Sequence, residues 1–118
     1  MQRTFSVLLF MQFVAWVYIM TNVSQSVLYV GFTTNLPTRV WEHCTKQNPT
    51  SFTARYSVNR LVYYQGLLSV IEAEKAEKYI KGKTRAWKRD LIGKHNPEWK
   101  ALASEVKTGV LKHVTFNL

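Results

Sequence analysis

The chain has 118 residues, enough for one modest domain and too few for several. An apolar share of 47% excludes a disordered chain, and the single cysteine, Cys44, excludes an intramolecular disulfide. Sixteen basic against seven acidic residues give a net charge of +9, which points to a polyanionic partner, nucleic acid before an acidic membrane surface.

The first apolar run, FSVLLFMQFVAWVYIM, is 16 residues long and contains Ser6 and Gln12. A membrane-spanning helix needs about 20 apolar residues, and no small-residue cleavage site follows. Neither a span nor an export signal is expected. With a lone thiol and three scattered histidines lacking zinc-ligand spacing, a cytoplasmic protein is expected.

AWVYIMTN (15–22) and SVLYVGF (26–32) are rich in β-branched and aromatic residues, and NVSQ between them supplies turn chemistry, so the pair reads as a β-hairpin. Asn35 then caps a helix with Pro37 in its first turn and with Leu36, Val40 and Cys44 inward. KQNPTSFTARYSVN reads as a polar loop, and RLVYYQG (60–66) as a third strand ended by Gly66. Ser69 and Glu72 form a capping box that opens a helix with an inward stripe of Val70, Ala73, Ala76 and Ile80, Tyr79 alongside, ended by Gly82. Thr84 caps the next helix, which carries Trp87 and Leu91 on one face and stops near Gly93. Trp99 and Leu102 are the expected anchors of the remainder. The order is strand, strand, helix, strand, helix, helix: an α+β (α/β) domain built on a small three-stranded antiparallel sheet flanked by helices.

Eight basic residues lie between Lys75 and Lys94 against two acidic ones. Such a run tracks a phosphate backbone or, more blandly, forms a solvated face.

WVYIMTN, then YVG on the next strand, Arg39 with His43, EKYIKGK and NPEW, in this order and spacing, resemble the GIY-YIG nuclease superfamily. The likeness is to small single-domain bacterial proteins related to the nuclease module of the excinuclease complex. It covers roughly residues 14 to 103. Trp16 and Val17 depart from the first two letters of the first motif, and Lys83 stands where related chains commonly carry tryptophan. The boundaries expected are an N-terminal extension (1–10) outside the fold, a nuclease-like domain (11–103) and a C-terminal tail (104–118).

The resemblance implies a divalent-metal-dependent endonuclease hydrolysing DNA, with Mg²⁺ or Mn²⁺ as cofactor. Tyr18 matches the tyrosine of the first motif, and Tyr29 and Gly31 the tyrosine and glycine of the second. Arg39 matches the helix arginine and His43 the residue one turn on. Glu77 matches the glutamate that binds the metal, and Asn96 the late asparagine. Tyr18 is read as general base with Tyr29 as its partner, or the reverse. Arg39 suits the phosphate oxygens as a two-pronged donor. Lys78, Lys81, Arg85 and Lys88 are the expected backbone contacts on DNA, without strong sequence preference. Glu74 is read as a surface acid paired with Lys78. Taken singly, these residues also have bland readings: half-buried strand tyrosines, a surface arginine, a structural histidine, a turn glycine, a helix ion pair of Glu77 with Lys81. A DNA-binding module without turnover is the alternative function, a membrane-surface protein a third, and no obligate protein partner is visible.

Overall fold

The computed structural model describes residues 13–46 and 48–114, so the expected extension over residues 1–10 lies outside the described residues. Three strands, β1 (Ala15–Thr21), β2 (Leu28–Thr33) and β3 (Arg60–Leu67), form one antiparallel sheet in the order β2-β1-β3. Helices α1 (Leu36–Thr45) and α2 (Phe52–Arg55) connect β2 to β3, and α3 (Val70–Lys81), α4 (Arg85–His95) and α5 (Ala103–Thr108) follow. The α+β architecture and element order read from the sequence are those observed. No helix among the described residues is long and apolar enough to cross a membrane.

The central strand explains the layers. Every residue of β1 is buried, because both faces of the sheet are covered. Trp16, Tyr18 and Met20 point into one core with Leu36 and Val40 of α1 and Leu102 and Val106 of the C-terminal segment. Val17 and Ile19 point into the other, with Ala76 and Ile80 of α3 and Ile92 of α4. A bulge interrupts the pairing of β1 with β3: Ile19 pairs Tyr63 while Met20 pairs Leu61. Val62 and Tyr63 therefore both serve the second core, and the strict alternation of a strand is broken there.

Local signals set the helix starts. Asn35 accepts from Thr38 N, Ser69 from Glu72 N and Thr84 from Trp87 N, each such cap being worth about 1 kcal/mol. α3 ends at Gly82 and buries Ala73, Ala76 and Ile80 as expected. Val70, in the first turn, and Tyr79 are instead half-exposed.

Several other local expectations are corrected by tertiary contacts. Gly66 does not end β3; it pairs with Trp16 and leaves room for Phe13, whose ring would lie 2.4 Å from a Cβ placed there. Gly93 does not stop α4, which runs to His95 and ends at Asn96. Cys44 is exposed, and His43 takes the inward place beside Leu36 and Val40. The loop after α1 contains α2, capped by Ser51. Beyond residue 103 the core continues, with Val106 and Leu111 both buried.

Gly93 sits within helix α4, and an added Cβ meets nothing within 4 Å. Gly93→Ala should therefore raise unfolding free energy by about 0.5–1 kcal/mol, read from urea denaturation.

Candidate active site

The β1–β2 register sets Tyr18 opposite Gly31 and Met20 opposite Tyr29. Tyr18 is fully buried, and its phenol occupies the space a side chain on the neighbouring strand would fill. A Cβ on Gly31 would lie 2.6 Å from the Tyr18 oxygen and 3.0 Å from Cε1 of Tyr29. Gly31 is thus required by its neighbour's ring, not by a turn.

Helix α1 brings a guanidinium and an imidazole to that oxygen from one face, four residues apart. Arg39 Nε donates to Tyr18 Oη at 3.4 Å, and His43 Nε2 lies 3.1 Å from the same oxygen. His43 is itself buried, its Nδ1 2.9 Å from Thr53 Oγ1 on α2. Thr53 in turn lies 3.3 Å from the hydroxyl of the cap residue Ser51. Arg39 Nη1 also reaches Glu42 at 3.3 Å. Arg39 can only donate, so the Tyr18 oxygen accepts from it. We assign the Tyr18 proton to the bond with Nε2 and the His43 proton to Nδ1, facing Thr53, which satisfies every group.

Burial dominates the electrostatics. It pushes the Tyr18 phenol up to about 12, against the opposing pull of the Arg39 hydrogen bond. It pushes His43 down to about 4, and the nearby Arg39 charge acts in the same direction. The hydrogen bond to Tyr18 holds the Arg39 guanidinium above its ordinary value. At neutral pH the cluster is a neutral phenol and a neutral imidazole beside one cation. It opens into a cleft of about 310 Å³ lined by Tyr29, Arg39, Glu42, His43, Lys46 and Phe52 among others. Tyr29 packs its ring against His43 at 5.5 Å between centroids.

Tyr18, Tyr29, Gly31, Arg39 and His43 are brought together. The remaining candidates are carried by other elements. Glu77 is on α3, which packs on the Val17–Ile19 face of the sheet, whereas Tyr18 faces α1. Its side chain is 15% exposed, with Lys81 Nζ at 3.6 Å. Lys78 is exposed and pairs with Glu74 at 3.7 Å, as expected of Glu74. Arg85 donates to the backbone carbonyls of Gln25 and Ser26 in the hairpin turn. Lys88 is half-buried on the same helix. Asn96 is buried, its two amide hydrogens directed to the carbonyls of Val62 and Lys100 while Oδ1 accepts from Lys100 N.

Sequence reasoning missed Thr53 and Phe52, because α2 has only four residues and shows no period. The available signal was Ser51, a hydroxyl cap residue just after Pro49. Among the described residues no group of three or more His, Cys, Asp or Glu could cage a metal. Mg²⁺ does not need a cage, since it keeps most of its waters and takes one or two carboxylates. Glu77 fits that requirement: a shielded carboxylate whose lysine partner is long, exposed and displaceable.

The GIY-YIG catalytic domain family matches residues 14–90 of the chain. A solved solution structure, that of the UPF0213 protein BH0048 from Bacillus halodurans, is similar at 25% identity, over 74% of this chain and 90% of that one, with a TM-score of 0.48. No curated protein matches the chain.

His43 titrates lower in the folded chain, at about 4, than the usual histidine near 6.5. Protonation therefore favours the unfolded state: the stabilisation is present above pH 6.5 and is lost as pH falls toward 4. Between about pH 7.5 and 5.5 the wild type should lose roughly 1 kcal/mol from this group. His43→Gln should lack that component in urea melts at the two pH values, and an identical pH slope in both proteins would contradict the buried neutral imidazole.

Proposed function

As this chain belongs to the GIY-YIG catalytic-domain family, we propose that it is a divalent-metal-dependent endonuclease that hydrolyses DNA phosphodiester bonds in the cytoplasm. The observation that carries this reading is the Tyr18 oxygen held between Arg39 Nε and His43 Nε2, two side chains that line a cleft.

The scissile phosphate sits in the cleft, with a non-bridging oxygen on the solvent side of the Arg39 guanidinium. The phenolate form of Tyr18, its proton lost to solvent and its charge held by the Arg39 hydrogen bond, takes a proton from the attacking water. The hydroxide so formed attacks phosphorus, the bond to the leaving oxygen breaks, and that oxygen takes a proton from solvent. Thr53 accepts from Nδ1–H and so keeps Nε2 free to accept from the Tyr18 hydroxyl and hold the ring in place. Tyr29 packs the imidazole in place. Glu77 would hold Mg²⁺ or Mn²⁺, and the cation would supply electrostatic stabilisation of the negative charge that develops during phosphodiester hydrolysis. Lys78, Lys81 and Lys88 add attraction to the DNA backbone that does not depend on sequence. Arg85 and Asn96 act from beneath, holding the hairpin turn and the end of α4. A DNA-binding module without turnover is the second reading, favoured by a Tyr18 that stays protonated near neutrality.

Two measurements decide between them. With Tyr18 near 12, about one molecule in 100,000 carries the phenolate at pH 7. Raising the pH raises that fraction, so single-turnover cleavage should climb about tenfold per unit between roughly pH 6 and 9. Tyr18→Phe should be inactive throughout, and a plateau near neutrality would remove Tyr18 as the base.

Glu77→Gln keeps size and hydrogen bonding while removing the charge a divalent cation needs. Cleavage of plasmid or branched DNA in Mg²⁺ should fall by about a hundredfold or more while DNA affinity holds. Glu74→Gln, the matched surface acid, should cut normally. Equal cutting by the Glu77 variant would relocate the metal, and a wild type that binds but never cuts with any divalent cation would leave the binding module.

A further inference from the structure

Along the cleft wall, starting from Tyr29 and running away from the Tyr18 cluster, three aromatic rings form a row. Tyr29 stacks on Phe52 at 6.4 Å between centroids and 26° between planes. Phe52 meets Tyr56 at 4.8 Å. Tyr29 is inside the cleft, but Phe52 is 50% and Tyr56 49% exposed. Single apolar side chains on a surface are ordinary. Two touching rings, continuous with a cleft wall and left half in water, form a patch.

The surroundings say what the patch fits. Arg55 stands 5.8 Å from the centroid of the Tyr56 ring, and Lys46 and Arg39 line the adjoining cleft. Exposed aromatic faces bordered by cations are how proteins hold unpaired nucleotides, the base on the ring and the phosphate on the cation. Phe52 and Arg39 line the same cleft, so a base on the first and a phosphate on the second belong to one nucleotide or to neighbours. A paired base inside a duplex has both faces covered and has none to offer.

We propose that Phe52 and Tyr56 form a stacking platform for an unpaired DNA base next to the phosphate in the cleft, so that the preferred substrate is DNA with a single-stranded or extruded nucleotide. The proposal rests on reading the cleft as a phosphodiester site. It is distinct from the simpler role of covering Tyr29, for which any apolar side chain of similar size would serve. Leucine at both positions covers Tyr29 without offering a ring to a base.

The test uses the full chain in EDTA, so that binding is read without cleavage. Two fluorescent DNA duplexes carry the same single-stranded tail, one with bases and one with abasic sites at the same phosphates. Fluorescence anisotropy should show the base-bearing tail bound about tenfold more tightly, within the range of a single aromatic–base stack. The double variant F52L/Y56L should bring the ratio close to one, and Phe52→Trp should preserve it. Circular dichroism melts confirm that each variant is folded, and the wild-type comparison of the two tails needs no variant at all. Equal affinity of the wild type for both tails, no affinity for either, or a ratio that survives F52L/Y56L in a folded protein would overturn the platform. Adding Mg²⁺ separates the two ideas. A wild type that prefers bases but never cuts keeps the platform and loses the nuclease. One that cuts both tails after equal binding keeps the nuclease and loses the platform.

Discussion

A phenol can lie across a neighbouring strand only where that strand carries no side chain, and Tyr18 over Gly31 is the contact on which the rest of the site depends. The ring's position fixes the hydroxyl, and the hydroxyl fixes what α1 must present: a donor at Arg39 and a ring nitrogen at His43. Because His43 is buried along with it, the imidazole needs a second partner within the protein, and Thr53 on α2 supplies it. A chain of four groups from three elements follows from one missing side chain.

The same burial has opposing effects on the chemistry. It lowers the local dielectric and so strengthens the Arg39 contact, yet it makes the phenolate costly to form. Arg39 is the group that reconciles the two, since its charge sits on the cleft side while its Nε reaches inward. A lysine of similar length carries its three donors on one nitrogen and could not reach inward to the phenol and outward to a phosphate from separate nitrogens.

Much of this was legible in the sequence because it is local or periodic. The caps Asn35, Ser69 and Thr84 sit next to the residues they serve, and the β1–β2 hairpin shows in its composition. Arg39 and His43 are one helical turn apart, so their sharing of a face was also readable. What escaped depends on distant partners. Gly66 looks like a strand terminator until Phe13 is seen lying over it, and Gly93 like a helix stop until Asn96 is seen closing the helix. The bulge at Val62 and Tyr63 hides in an apolar run where either face is plausible. The four-residue α2 is too short to show a period, so Thr53 and Phe52 passed as loop residues. Glu77 was readable as an acid among lysines, but the face of the sheet on which its helix packs was not, because a motif gives order along the chain and not the packing of a helix.

Arg85 and Arg89 of α4 both donate to carbonyls of the turn between β1 and β2, contacts about sixty residues long in sequence. Arg89 also lies 4.7 Å from the centroid of the Trp99 ring, so one side chain joins the hairpin tip, the helix and the segment after it. The tip of a two-stranded ribbon ordinarily frays by itself on a fast timescale. Here fraying has to break charged contacts to another element as well, which couples the hairpin tip to the first half of α4. The edge strand that carries Tyr29 and Gly31 is thereby tied to α4 through the turn that leads into it, three residues before Tyr29.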